Sequence, residues 1–153
     1  MIHQTGWRSS TVPFEDRAAR FRASGVPGEM QPFLDDMPAT FAQASLIVSR
    51  AGMGAVSEIA ASGRPSILVP LPTASDQHQL RNAEAFAHSG AARLVLDHEM
   101  DGGRFFEEVG KLASQPGTLK HMGEQARTFA HPGAARRAAE IVEEAIAAPA
   151  AQH

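Results

Sequence analysis

Two glycines sit at the centre of the stretch Ser49-Arg50-Ala51-Gly52-Met53-Gly54-Ala55-Val56-Ser57-Glu58, directly after an apolar run at 45–49. Glycines at the end of a buried strand let the backbone turn sharply and leave no side chain between the peptide N–H groups and a ligand. A helix opening at such a turn offers unpaired N–H donors and the positive end of its dipole, which suits a phosphate or diphosphate. Glu58 follows about one turn into the helix, near enough to the open end to reach the same ligand. A carboxylate accepts two hydrogen bonds at once, so Glu58 could hold both hydroxyls of a ribose while the amides hold phosphates. Each feature alone has a plainer explanation. A Gly-x-Gly turn is often only a tight connection, and a first-turn Glu often only answers the helix dipole.

A second cluster is Asp76-Gln77-His78-Gln79-Leu80-Arg81-Asn82-Ala83. Amides such as Gln79 and Asn82 suit sugar hydroxyls because each can donate and accept at one site. They are three residues apart and share a helix face. The plainer explanation is a polar first turn with Asp76 as its cap. His78 has the residue type of a general base, but a lone His in a polar turn reads as a hydrogen-bonding group. Gln4 lies in His3-Gln4-Thr5-Gly6, at another candidate strand end. The remaining histidines are scattered without metal-ligand spacing. No Asp-x-Asp pair is present, and Asp35-Asp36 is explained by capping. The expected site is metal-free and without cofactor, with the helix dipole stabilising a leaving diphosphate.

The elements that must carry these residues alternate along the chain. A helix is expected over 11–24, with Pro13 in its first turn and Gly25 as its stop. Residues 26–33 read as extended, and a short helix through Ala44 follows with Asp36 as N-cap and Pro38 in its first turn. Residues 45–49, 66–69 and 92–96 read as buried parallel strands. Helices are expected at 54–62 and 77–88, and from Gly103 onward, with breaks at Gln115-Pro116-Gly117 and His131-Pro132-Gly133. The last helix sets Ile141, Val142, Ala145 and Ile146 on one stripe. The expectation is one domain over 1–147, an α/β Rossmann-like parallel sheet with helices on both faces, and a disordered tail at 148–153. In such sheets ligands bind beyond the carboxyl ends of the strands. The turns to inspect are therefore 3–10, 49–54 and 70–78.

Composition narrows the function classes. A net charge of −3 offers no basic surface for a nucleic-acid backbone, so no nucleic-acid partner is expected. With 43% hydrophobic and 20% charged residues the chain is compatible with a folded core rather than disorder. Cysteine is absent, which removes thiolate metal sites, disulfides and cysteine nucleophiles together. No apolar run approaches the roughly 20 residues of a membrane-spanning helix, and no charged-then-apolar leader opens the chain. A cytoplasmic protein is expected.

Taken together, several segments resemble the MurG family, bacterial transferases of glycosyltransferase family 28 that add N-acetylglucosamine to an undecaprenyl-linked muramyl-pentapeptide in peptidoglycan synthesis. The matching pieces are His3 to Gly6, Phe33 to Met37, Ser49 to Ala60, Gly63-Arg64-Pro65, Val69-Pro70, Asp76 to Ala83 and Gly90-Ala91-Ala92. They occur in family order, and the combination is specific where no single piece is. The resemblance implies the C-terminal, donor-binding half of a GT-B glycosyltransferase, with UDP-N-acetylglucosamine as its ligand. By position, the Leu34 backbone would contact uracil, and Met53, Gly54, Ala55, Val56 and Ser57 would line the diphosphate and sugar. Glu58 would take the ribose hydroxyls and Gln79 the sugar, with Gly52, His78, Asn82 and Gln4 as further candidates. Transfer in the family inverts the anomeric carbon and needs no metal.

The same resemblance implies that this chain lacks the family's N-terminal half, which binds the lipid acceptor at the membrane and supplies the candidate general base. It also implies that the donor domain lacks its first strand and helix. The catalytic base is therefore not assigned. A fragment, a truncated product or one subunit of a split enzyme is expected, binding donor weakly and inactive without a partner chain or domain for the acceptor. Two other functional readings compete, beside a structural remnant with no ligand at all. One is a non-catalytic donor-binding subunit of a two-chain transferase, with the 141–146 stripe as a docking face. The other is a UDP-N-acetylglucosamine 2-epimerase-like domain, although such enzymes carry an acidic pair where Ser57-Glu58 offers one acid.

Overall fold

A computed structural model of the chain describes residues 1–5, 11–73 and 77–147. Gly6, Asp76 and the tail at 148–153, all named above, lie outside the described residues. Parallel pairing is present, but it is divided between two sheets in two compact units. One unit covers residues 1–43 and the other begins at Ala44, immediately after a helix and with no linker between them.

In the first unit, β1 (Ile2–Gln4) and β2 (Glu29–Gln31) pair in parallel, with Ile2 opposite Glu29. The helix α1 (Phe14–Ala23) connects them. Pro27 and Pro32 bracket β2 and keep it short, since a proline has no N–H for the ladder. The short helix α2 (Met37–Gln43) starts as its residues predict. Asp36 Oδ1 accepts from the Ala39 N–H at 2.9 Å, satisfying a donor that the helix itself leaves open.

The second unit is built on β3 (Ile47–Ser49), β4 (Ser66–Leu68) and β5 (Ala92–Leu94), parallel and in that order. All three residues of β4 are buried, as a central parallel strand covered on both faces requires. Two helices alternate with these strands, α3 (Met53–Ser62) and α4 (His78–His88). A 3-10 turn at Asp97–Glu99 then leads to α5 (Gly102–Ala113), α6 (Pro116–Phe129) and α7 (Ala134–Ala147). Both expected helix breaks fall between these last three helices. Ile67 and Val69, alternate residues on one face, pack with Val95, Leu112 and Met122.

Two contacts hold the helices against each other. Phe86 of α4 meets Phe129 of α6 edge-on, with ring centroids 5.1 Å apart. At the far end of α3, Gly63 caps the helix in the left-handed conformation with φ +62°. Gly123 of α6 comes so close there that a Cβ on it would lie 2.7 Å from the Gly63 carbonyl oxygen. Since α6 can approach only without that side chain, the C-terminal end of α3 is pinned and its N-terminal end is aimed by the same contact.

A buried carboxylate ties β5 to α5. Glu108, almost wholly buried, pairs with Arg104 at 3.0 Å and with Arg93 at 3.5 Å. Such a charge is tolerated only with partners of this kind. On the outer side of α5, a hydrogen bond and charge from Lys111 hold the Glu107 carboxyl below its ordinary range.

Candidate functional site

The glycine turn lies where the sequence placed it, at the carboxyl end of β3. Gly52 is the N-cap of α3 in an extended conformation, and as a glycine it has no side chain with which to cap the helix start. The first intrahelical bond runs from the Val56 N–H to the Gly52 carbonyl at 3.0 Å. The amides of Met53, Gly54 and Ala55 precede it and have no partner within the helix, as geometry demands of a first turn. A Cβ built on Gly52 or on Gly54 would meet nothing within 4 Å. Neither glycine is therefore required by packing. The space that their missing side chains leave is open, and α3 presents its positive end to it.

The residues of α3 divide by face. Val56, Ile59 and Ala60 are buried at helical spacing, while Met53, Ser57 and Glu58 are exposed. Val56 turns its side chain into the core and gives its N–H to the Gly52 carbonyl, so it also holds α3 down. Glu58 stands four residues after Gly54, hence on the same face. Helical Cα–Cβ bonds tilt toward the N-terminus, so the Glu58 side chain starts out leaning toward the turn that holds Gly54.

The α4 residues brace the same edge. Asn82 Nδ2 donates to the Ala51 carbonyl at 3.1 Å, and Ala51 itself is fully buried. Gln79 Oε1 accepts from the Leu71 N–H at 3.0 Å, in the turn after β4. Gln79 thus uses its oxygen within the protein, and its Nε2 is the atom that could meet a sugar hydroxyl. The cap expected of Asp76 falls outside the described residues. The residue preceding α4 is Gln77, at φ +56°, and among the described residues no other non-glycine has positive φ. Such a conformation costs about 1–3 kcal/mol and concentrates at functional loops. His78 is the first residue of α4.

Gln4 and Leu34 are joined within the first unit. Gln4 Oε1 accepts from the Leu34 N–H at 3.2 Å. That bond engages the Leu34 N–H.

Sequence reading passed over Arg50 and Asp97. Arg50 Nη1 donates to the Val69 carbonyl at 3.2 Å and also pairs with Asp97 Oδ1. No local signal marks this pair, because the partners are 47 residues apart. A groove of about 300 Å³ also exists in the second unit, lined by Arg64, Lys120 and Arg127 among others. It lies at the Gly63 end of α3, about 15 Å along a ten-residue helix from the glycine turn, and is not part of this site.

Residues 1–141 match the model of the glycosyltransferase family 28 C-terminal domain. The chain is 55% identical over 144 residues to the UDP-N-acetylglucosamine--N-acetylmuramyl-(pentapeptide) pyrophosphoryl-undecaprenol N-acetylglucosamine transferase of Solibacter usitatus (strain Ellin6076). That match covers 94% of this chain and 38% of the relative. It is 40% identical over 134 residues to the transferase of the same name from Pseudomonas paraeruginosa (strain DSM 24068 / PA7), covering 88% of this chain and 36% of that one. Among solved structures it is similar to Acinetobacter baumannii MurG, with a TM-score of 0.78 and 27% identity over 94% of this chain and 40% of the other. The chain therefore spans well under half the length of these relatives.

Proposed function

Because the chain belongs to glycosyltransferase family 28, as a member of its C-terminal domain, we propose that it binds UDP-N-acetylglucosamine as the donor half of an N-acetylglucosaminyltransferase. The fold is the Rossmann-like C-terminal half of a GT-B glycosyltransferase. The observation that carries the proposal is the uncapped mouth of α3, open above Gly52 and Gly54 at the carboxyl end of a parallel strand.

In this reading the amides of Met53, Gly54 and Ala55 hold the diphosphate, and Glu58 accepts from the ribose hydroxyls. Ser57, exposed on α3, and Gln79 Nε2 meet the sugar. A muramyl hydroxyl of a lipid-linked acceptor attacks the anomeric carbon with inversion, and UDP leaves. The α3 dipole and amides then stabilise the charge that gathers on the departing diphosphate, a job done without a metal in this proposal.

The acceptor and its general base belong to a further domain or partner chain. Exposed Ile141, Val142 and Ile146 on α7 offer an apolar face for such packing. Among the described residues no helix is long and apolar enough to cross a membrane. We place the protein at the cytoplasmic face, where a nucleotide sugar and a lipid-linked acceptor can meet. The relatives above are transferases, which favours transfer over epimerisation.

Calorimetric titration with UDP-N-acetylglucosamine, UDP and uridine tests the donor site. The two diphosphates are expected to bind at least about a hundredfold more tightly than uridine, the scale of two or more charge-assisted hydrogen bonds. Equal affinities for UDP and uridine would defeat the proposal.

A further inference from the structure

We infer that Asp97, acting through Arg50, is a positioning residue that aims the glycine turn at the diphosphate, an inference that rests on the donor-site reading above. Arg50 follows β3 and directly precedes Ala51 and Gly52, where the chain swings into α3. Its guanidinium meets the Val69 carbonyl just beyond β4 and the Asp97 carboxylate just beyond β5. One side chain thus ties together the carboxyl ends of three adjacent strands, on the edge where α3 opens. A guanidinium can do this because its donors lie in a fixed plane and point to two acceptors at once.

The opposite flank of the turn is held independently by Asn82, through the Ala51 carbonyl. Arg50 and Ala51 are therefore each anchored, and the amides that follow inherit a fixed direction. The Arg50 and Asp97 side chains are 50% and 35% exposed, so their pairing contributes little to global stability. What the pair provides is orientation, at a site where hydrogen-bond geometry decides affinity.

The test is UDP titration of the full chain as wild type, Asp97→Asn, Arg50→Gln, the double variant and Arg50→Lys, each with a thermal melt. Asp97→Asn and Arg50→Gln are each expected to weaken UDP binding about tenfold, and the double variant no further than either alone. Melting temperatures should move by less than about 3 °C, and Arg50→Lys should recover part of the affinity. Asp97→Asn keeps the shape of a half-buried side chain, so it carries the test if Arg50→Gln does not fold. Weakening by Arg50→Gln with Asp97→Asn at wild-type affinity would overturn the inference, since Arg50 would then touch the ligand itself. Lowered melting temperatures with unchanged affinity would overturn it too. Absence of UDP binding by the wild type would instead defeat the donor-site reading, and this inference with it.

Discussion

Glu58→Ala is expected to raise the Kd for UDP about 30- to 150-fold, equivalent to about 2–3 kcal/mol, with little change in melting temperature. The size follows from two hydrogen bonds to a charged acceptor, partly offset by water that solvates the ribose when they are lost. The small stability effect follows from position. Glu58 is on the exposed face of α3, opposite Val56, Ile59 and Ala60, which anchor the helix. Alanine also has the higher helix propensity. A ligand control separates this account from a general loss of the site. UDP lacking its ribose hydroxyls should bind wild type and Glu58→Ala equally. Wild-type affinity for UDP in Glu58→Ala would remove the carboxylate from the site.

Gly54→Val should abolish measurable UDP binding, a loss of at least about a hundredfold, while the fold becomes no less stable. Packing does not object to the new side chain, since a Cβ at Gly54 meets nothing within 4 Å. Valine in a helix is favoured over glycine by a few tenths of a kcal/mol. A branched side chain there would instead fill the space in front of the first-turn amides, where the diphosphate must come within hydrogen-bond distance. Gly54→Ala should show the same opposition more mildly. The informative feature is the opposite sign of the two effects, which a core position cannot produce. Tight UDP binding by a folded Gly54→Val protein would mean that no phosphate is seated over that residue.

Much of the local architecture could be read from residue order. Asp36 and Pro38 start α2, Gly63 stops α3, and Pro116 opens α6, each through a conformational preference that operates within one turn. The glycine turn and its Glu58 were legible for the same reason, because their relation is set by helical spacing alone. Relations between distant segments were not. Asn82 reaches Ala51 across 31 residues, and Gln4 reaches Leu34 across 30. In both cases an amide that composition alone assigns to a sugar or a strand end spends a group on the protein backbone. Val56, which the resemblance sets along the diphosphate and sugar, takes a buried place in the helix period. The division of the sheet also escaped, since it depends on which strands find partners and no linker marks it.

Perturbation of individual amides by UDP, read in nitrogen–proton NMR spectra, tests the grip of α3 on the diphosphate most directly. Saturating UDP is predicted to shift the Met53, Gly54 and Ala55 amide protons strongly downfield, as new hydrogen bonds to phosphate oxygens form, while uridine leaves them in place. Binding of UDP with those three resonances unmoved would contradict the account.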